Sequence, residues 1–395
     1  MKYNVVAISD IHWGVINPDE QKESLQFFID FIKEYKDTID LIVILGDYWD
    51  SKLSLNSKEA ITAVSWMHQL QKICKSNAIT VRLVQGTMDH DNDQLHVFDN
   101  LGTYEMPKDY PQFRIITKTT VEETLPNFTC VYCPDETIKT SEYEETYMNE
   151  IIQMKDIGFF HGSFDVVYGS LLEAKPELWE KNNVIFKYSL WTPRIKGPMI
   201  SGHWHDGKQY DELYYIGSPF RWQFDEDEEK GFYFIQYDTD TTEYMLRKIV
   251  NPLACEYYTY DIYSNLFETK DDYAQFIREI RDIIQGMDNS ITKDKLRIKV
   301  YINDEKSEND VFLSALRQEI INHKNCKITV KNKIKDKKAK AQKKKIEDEK
   351  KQVSFVFQDD VRPQNKIRQF ILEESNHEVD IPLEFIERHM KDYIK

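Results

Sequence analysis

Short apolar runs alternate with helical patterns in the first half of the chain, and this alternation is the strongest constraint on its fold. Residues 3–9 and 41–45 each hold a run of consecutive apolar side chains, and residues 3–9, 41–45 and 80–84 are all predicted to be buried strands. Residues 20–35 and 61–74 carry apolar side chains at helical spacing. Strands of this kind that alternate with helices indicate βαβ units and a sheet covered on both faces. The chain is therefore predicted to be an α/β protein.

The chain is long enough for more than one folded unit, since 395 residues exceed what one hydrophobic core normally organises. Residues 1–250 are predicted to form the first unit, and residues 251–332 a smaller α/β unit. The Lys-rich residues 333–352 are predicted to be a linker or an exposed helix. Residues 353–395 combine a short strand with two amphipathic helical patterns, which is typical of a segment that docks on another chain. Other strands are predicted at 128–132, 157–160, 198–201, 213–216, 231–237, 296–302 and 327–333, and helices at 271–285 and 310–321.

The net charge of −16 argues against nucleic acid as a partner when it is taken alone. The charge reverses locally, because residues 324–351 contain 13 lysines and 4 acidic residues, a net charge of +9. Phosphate contacts from such lysines would position DNA without specifying a sequence. This stretch is either a solvated linker or a DNA contact, and the DNA-binding candidates in it are Lys337, Lys338, Lys343 and Lys344.

The cysteines and the N-terminus indicate a reducing compartment. The five cysteines are scattered and do not form a disulfide framework. Cys130 and Cys133 have the spacing of half a zinc site, but in a strand they would face opposite sides. The apolar run after Met1 is too short for a signal peptide, and none approaches the roughly 20 residues that span a bilayer. We expect a cytoplasmic protein that makes no membrane contact.

Titratable side chains follow the predicted strands, where open α/β sheets place their sites. Asp and His are ligand types that bind Mn, Fe or Zn. Two metal ions about 3.5–4 Å apart need roughly three protein ligands each and one shared carboxylate. Seven residues supply that number, with Asp47 as the shared carboxylate. The predicted metal ligands are Asp10, His12, Asp47, Asp89, His161, His203 and His205.

The order of these motifs, D-x-H, G-D-x-x-D, H-D, H and G-H-x-H, resembles the calcineurin-type metallophosphoesterases. The segments SGHWH at 201–205, YIGSP at 215–219 and EKGF at 229–232 are similar to the nuclease subunit of SbcD-type DNA double-strand-break repair complexes, including the phage recombination endonuclease subunit. The motifs cover about residues 1–240. The resemblance implies a metallophosphoesterase β-sandwich flanked by helices, a small α/β DNA-capping domain and a helical C-terminal tail.

The resemblance also implies an activity and partners. It implies a nuclease with two divalent metal ions, most often Mn²⁺, that acts as a 3′–5′ exonuclease on duplex DNA and as an endonuclease on single strands. His90 would stabilise the transition state or protonate the leaving oxygen, and Asp91 or Asp50 would hold a histidine in the required tautomer. An SbcC-type ABC ATPase would bind the tail. The resemblance also implies that the protein is a homodimer and that it acts in a bacterial or phage-infected cell.

The third motif departs from the family pattern, which usually reads Gly-Asn-His-Asp. Here residues 86–91 read GTMDHD. Aligning Asp89 with the Asn ligand, His90 with the His and Asp91 with its acid implies a two-residue insertion and an anionic ligand in place of a neutral one. Asn92 is the alternative ligand.

Two other functions remain open at this point. A small-substrate phosphodiesterase or phosphatase would use the same metal core, but it would leave the 145 residues after Val250 without a purpose. A scaffold with a degenerate site would account for the altered third motif.

Overall fold

A computed structural model gives the fold of the chain. It describes residues 1–102, 112–181, 183–226, 228–264, 267, 269–288, 294–302, 308–321, 323 and 325–332. The predicted linker and tail, together with Lys337, Lys338, Lys343 and Lys344, lie outside the described residues, so the predictions for them stay predictions.

The described residues form the following strands and helices. The strands are β1 Lys2–Ser9, β2 Leu41–Leu45, β3 Thr80–Val84, β4 Phe113–Ile116, β5 Thr120–Leu125, β6 Phe128–Cys133, β7 Ile157–His161, β8 Ser163–Phe164, β9 Ile185–Phe186, β10 Met199–Gly202, β11 Lys208–Tyr210, β12 Leu213–Tyr215, β13 Gly231–Asp238, β14 Tyr244–Val250, β15 Tyr257–Tyr263, β16 Lys295–Ile302 and β17 Cys326–Asn332. The helices are α1 Pro18–Glu34, α2 Lys58–Ser76, α3 Thr140–Tyr147, α4 Asp165–Tyr168, α5 Leu171–Ala174, α6 Tyr188–Trp191, α7 Lys270–Asp288 and α8 Glu308–Ile320.

Two six-stranded sheets organise the first part of the chain. One has the strand order β14-β13-β1-β2-β3-β4, and the other has the order β11-β12-β10-β7-β6-β5. Strands β1 to β4 are parallel to one another, and β13 joins β1 in antiparallel register. In the second sheet β6, β7, β10 and β12 are parallel. The carboxyl ends of the parallel strands therefore meet at one edge of each sheet.

The two sheets pack face to face around a shared apolar core. Val5 and Val43 of the first sheet and Phe159 of the second are fully buried in it. Helices α1 and α2 cover the outer face of the first sheet, and the segment that includes α3 and α6 covers the outer face of the second. The prediction of a mixed α/β β-sandwich flanked by helices is confirmed. Cys130 lies in the core between the two sheets, and Cys133 lies in the apolar cluster on the outer face of the second sheet. The two cysteines are therefore on opposite sides of β6, as predicted.

Apolar patterning located the central strands well and the half-exposed strands poorly. Strands β2 and β3 have the bounds predicted for them. The prediction missed the short strands β8, β9 and β11, and also β4, β5, β14 and β15. Strand β14 alternates between partly buried and exposed residues and includes Arg247 and Lys248, so it lacks a continuous apolar run. Long-range pairing with β13 is what makes this segment a strand.

The described residues divide into two compact units: the first takes in those within Met1–Asp261, Thr269–Lys299 and Phe312–Thr329, and the second takes in those within 262–267, 300–311 and 330–332. A three-stranded sheet has the order β15-β16-β17. Leu296 and Ile298 of β16 are fully buried, as is Ile280 of α7. The domain boundaries near 250 and 332 stay predictions. No helix among the described residues has the length and apolar character needed to cross a membrane.

Candidate metal centre

The loops that follow β1 and β2 are joined by backbone hydrogen bonds. The N–H of Asp10 donates to the carbonyl of Gly46 at 3.1 Å, and the N–H of His12 donates to the carbonyl of Asp47 at 2.9 Å. The pairing continues at Trp13, whose N–H lies 2.8 Å from the carbonyl of Tyr48. These bonds hold Asp10, His12 and Asp47 side by side at the carboxyl ends of two neighbouring parallel strands.

Four of the predicted ligands have a left-handed backbone. The φ angles are 51° at Asp10, 47° at His12, 47° at Asp47 and 82° at His203. For a residue with a Cβ this conformation is uncommon, and it costs on the order of 1–3 kcal/mol where the surroundings impose it. Such residues cluster at functional sites because the fold holds them in that conformation for another purpose.

The described residues contain two adjacent groups with the donor types of a metal site. The first ligand group is Asp10, His12 and His205, and the second ligand group is Asp47, His161 and His203; within each group one donor atom per residue lies within 4.8 Å of the others. Asp47 lies between the groups, because its Oδ2 is 3.6 Å from His12 Nε2 and its Oδ1 is 3.3 Å from His161 Nε2. This arrangement suits a carboxylate shared by two ions.

The buried imidazoles have free nitrogens that face these groups. His161 donates from Nδ1 to the carbonyl of Leu45 at 2.7 Å, which sets the tautomer and leaves Nε2 as the donor for a metal. Within the described part of the chain, His161 Nε2 and His12 Nε2 are buried and make no hydrogen bond. Buried polar atoms normally have partners. A metal ion in each group would supply the missing partner.

Other contacts hold the remaining ligands in place. The carboxylate of Asp10 accepts from the backbone N–H of His203 at 3.0 Å and from the hydroxyl of Ser9 at 2.5 Å. The carbonyl of His205 accepts from Lys230 Nζ at 2.8 Å and from the N–H of Ser218 at 3.0 Å. The first ligand group is thus bound to β10 and β13 as well as to β1.

A family comparison matches residues 3–219 to the calcineurin-like phosphoesterases. The chain belongs to the calcineurin-like phosphoesterase family. Curated proteins yield no match to this phosphoesterase. One crystal structure aligns with 63% of the phosphoesterase and with 99% of its own chain, at 14% identity and a TM-score of 0.36. That likeness is too distant to support any inference.

The two ligand groups of the phosphoesterase fit the divalent metal ions that this family binds. Each group offers imidazole nitrogen and carboxylate oxygen, the donors that suit Mn, Fe and Zn. The buried Nε2 atoms of His12 and His161 lie beside the Asp47 carboxylate and make no hydrogen bond, so a metal ion bound next to that carboxylate would satisfy them.

The electrostatics of the phosphoesterase separate its histidines into two classes. Burial alone would lower the pKa of His161, but the adjacent Asp47 carboxylate, together with Asp10 and the Leu45 carbonyl, outweighs burial and raises that pKa to about 10. Burial opposes ionisation of Asp47, yet the charge on His161 holds the pKa of Asp47 far below its ordinary value. Burial lowers the pKa of His203 to about 4 and that of His205 to about 3. His203 and His205 are therefore neutral and ready to bind a metal at pH 7.

A third group consists of His12, Asp50 and His90. The carboxylate of Asp50 lies 3.5 Å from Nδ1 of His12, on the side opposite the shared carboxylate. Nδ1 of His90 bonds to the backbone carbonyl of Asp50, which leaves Nε2 available to another group. The ring centroids of His90 and His12 are 4.5 Å apart. His90 therefore borders the first ligand group.

The structure brings together six of the seven predicted ligands, and the seventh, Asp89, lies apart from them. Asp89 is exposed in the turn after β3 and belongs to none of the three groups found among the described residues. Its assignment as a ligand stays a prediction. Asp91 is fully buried and accepts from the N–H groups of Gly86 at 2.6 Å and Trp49 at 3.1 Å, so it anchors two loops.

Sequence reasoning missed several residues of the site. Thr87 bonds directly to the carboxylate of Asp47. The Trp222 ring lies 4.8 Å from the His12 ring and 4.4 Å from the His205 ring. Lys230 lies in the EKGF segment, whose letters do not indicate its contact with His205, and the sequence carries no signal that identifies Trp222.

Proposed function

We propose that this phosphoesterase is a two-metal DNA nuclease, a 3′–5′ exonuclease on duplex DNA and an endonuclease on single strands, that acts in DNA repair and recombination with an SbcC-type ATPase. The observation that carries the hydrolytic part is the pair of ligand groups on either side of Asp47. The choice of DNA rests on the resemblance of residues 201–205, 215–219 and 229–232 to the SbcD-type nuclease subunit.

The side chains divide the work of phosphodiester hydrolysis. The bound metals, which we expect to be Mn²⁺, would hold the scissile phosphate and acidify a water. The bond from His161 Nδ1 to Leu45 fixes one imidazole for this task. The carboxylate of Asp50 lies 3.5 Å from His12 Nδ1, close enough to orient a second imidazole by charge. His90 is held through Nδ1, so its Nε2 can donate to the leaving oxygen or to the charge that develops on the phosphate.

The chain beyond the catalytic sheets favours a large substrate or partner. Strands β15 to β17 and helices α7 and α8 add a folded α/β segment that a small phosphodiester would not require. We propose that this segment caps the DNA, that Lys337, Lys338, Lys343 and Lys344 contact its phosphates, and that residues 353–395 dock on the ATPase. We also propose that the protein is a homodimer and that it acts in the cytoplasm of a bacterial or phage-infected cell.

The experiment is Mn²⁺-dependent digestion of a duplex labelled at either its 5′ or its 3′ end. We expect the wild-type protein to degrade the duplex and Asp47→Asn to abolish the activity. His90→Ala should lower the rate by about 10²- to 10⁴-fold, the usual contribution of a general acid. His96→Ala is the matched control, because His96 is exposed and outside the three groups found among the described residues.

Two outcomes would contradict the proposal. A wild-type protein that leaves DNA intact but cleaves a small chromogenic phosphodiester would identify the small-substrate phosphodiesterase instead. Full activity in His90→Ala would remove His90 from the reaction.

A further inference from the structure

The loop after β3 has a shape that its hydrogen bonds explain. The carbonyl of Thr87 accepts from the N–H of His90 at 3.0 Å and from the N–H of Asp91 at 2.9 Å. These bonds close a turn whose tip is Met88 and Asp89, both exposed. Met88 and Asp89 therefore lie at the exposed tip of the turn, and Thr87 lies at its base.

Thr87 contacts the shared carboxylate twice. Its backbone N–H donates to Asp47 Oδ1 at 2.7 Å, and its hydroxyl donates to the same oxygen at 2.8 Å. The loop comes this close because residue 86 is glycine, where a Cβ would collide with Asp47 Oδ1. Two donors on Oδ1 fix the orientation of the carboxylate and leave Oδ2, 3.6 Å from His12 Nε2, directed at the first ligand group.

We propose that Thr87, and not Asp89, is the residue of this loop that serves the metal centre. Thr87 acts as a positioning residue: its N–H and hydroxyl hold Asp47 in the orientation that both ions require. Asp89 is not a ligand. Asp47, His161 and His203 are then the protein ligands of the second ion, with the remaining positions open to water or substrate. This inference rests on the two-metal centre of the proposed function, but it does not depend on DNA as the substrate.

Thr87→Ser and Thr87→Ala form a matched pair that differs by one hydroxyl. The test is titration of the metal-free full-length protein with Mn²⁺, followed by calorimetry and by electron paramagnetic resonance of the free ion. We expect two ions in the wild type and in Thr87→Ser. Thr87→Ala should bind the second ion about 10- to 100-fold more weakly, the usual effect of losing a group that orients a metal ligand. Asp89→Ala, which removes every side-chain oxygen at that position, should bind both ions as the wild type does.

The opposite pattern would overturn the inference. Loss of the second ion in Asp89→Ala, with Thr87→Ala unchanged, would make Asp89 the ligand. Equal weakening in Thr87→Ser and Thr87→Ala would show that the hydroxyl is irrelevant. If Thr87→Ala does not fold by circular dichroism, the comparison of Thr87→Ser with Asp89→Ala still tests the assignment of Asp89.

The metal titration is independent of the substrate. A protein that binds two ions with the expected dependence on Thr87, but does not cleave DNA, would refute the nuclease and support the role of Thr87. A wild-type protein that binds fewer than two ions would refute both.

Discussion

His161 controls the protonation chemistry of the metal centre, because a proton and a metal ion compete for the same nitrogen. Its pKa of about 10 in the metal-free protein means that Nε2 carries a proton at neutral pH, and Asp47 stabilises that proton. A metal binds only the neutral imidazole, so the ion must displace the proton. His203 and His205, with lowered pKa values, have no proton to release at pH 7.

We therefore predict that Mn²⁺ binding at pH 7.5 releases about one proton from His161 and that affinity rises by up to about tenfold per pH unit below pH 10. The measurement is calorimetry in buffers with different ionisation enthalpies. His12, whose pKa is also raised despite its burial, would add a fraction of a proton. In His161→Asn the release should fall by about one proton. An observed heat that does not depend on the buffer would contradict the prediction.

The pair of His161 and Asp47 also makes the stability of the metal-free protein depend on pH, and the direction of that dependence follows from the pKa shift of His161. The folded-state pKa of His161 lies above its ordinary value of 6.5, so the protonated form stabilises the fold fully below pH 6.5. This contribution is lost as the pH rises from there through about 10. With the metals bound, the pair no longer carries the proton, and this pH dependence should disappear.

Two loops of the sandwich depend on one buried side chain, Asp91. Its carboxylate accepts from Gly86 in the loop after β3 and from Trp49 in the loop after β2. These loops carry Asp47 and Thr87. Asp91 therefore joins the G-D-x-x-D motif after β2 to the H-D motif after β3. Burial, followed by the charge of Asp47, raises the pKa of Asp91 to about 6, which shows how little water reaches this junction.

We predict that Asp91→Asn lowers the free energy of unfolding by about 1–3 kcal/mol, because an amide nitrogen in place of one oxygen leaves a buried N–H without its acceptor. The measurement is urea unfolding of the metal-free protein. Asp89→Asn, in the exposed tip of the same loop, is the matched control and should change stability by less than about 0.5 kcal/mol. Equal stability of both variants would mean that Asp91 does not anchor the loops.

At the scale of the whole molecule, the core between the two sheets provides the rigidity that the metal centre needs. Phe159 in β7 is fully buried there and stacks on Tyr132 of β6, with ring centroids 5.4 Å apart. The ligands come from both sheets, Asp10 and Asp47 from one and His161 and His203 from the other. The sheets must therefore keep a fixed separation for the ligand groups to form.

We predict that Phe159→Ala destabilises the protein by about 3–5 kcal/mol, through lost burial and the cavity left behind. Thermal unfolding would measure the change. Val121→Ala, on β5, is the control because Val121 is 38% exposed, and it should cost much less. A destabilisation below about 1 kcal/mol at Phe159 would show that the core collapses around the truncation.

Much of the fold and of the site could be predicted locally. Strand β2 is an unbroken run of apolar residues and β3 is apolar at three of its five positions, and a segment buried on both faces has such a composition whatever its neighbours are. The end of a parallel strand is also a local feature, so Asp10, Asp47 and His161 could be assigned to one edge. Half-exposed strands such as β14 have no such pattern, because they form through backbone pairing with a neighbouring strand and not through burial of both faces.

The third motif marks the limit of local reasoning. Alignment with the family motif places Asp89 at the ligand position beside His90, because His90 and Asp91 match its last two residues. Which residue reaches Asp47 depends instead on the path of the loop, and that path is set by Gly86 and Trp49 binding to Asp91. These contacts join residues up to 42 positions apart. Composition and periodicity determine which segments are buried, whereas the donor that meets a given carboxylate depends on contacts that form only when the sheets pack.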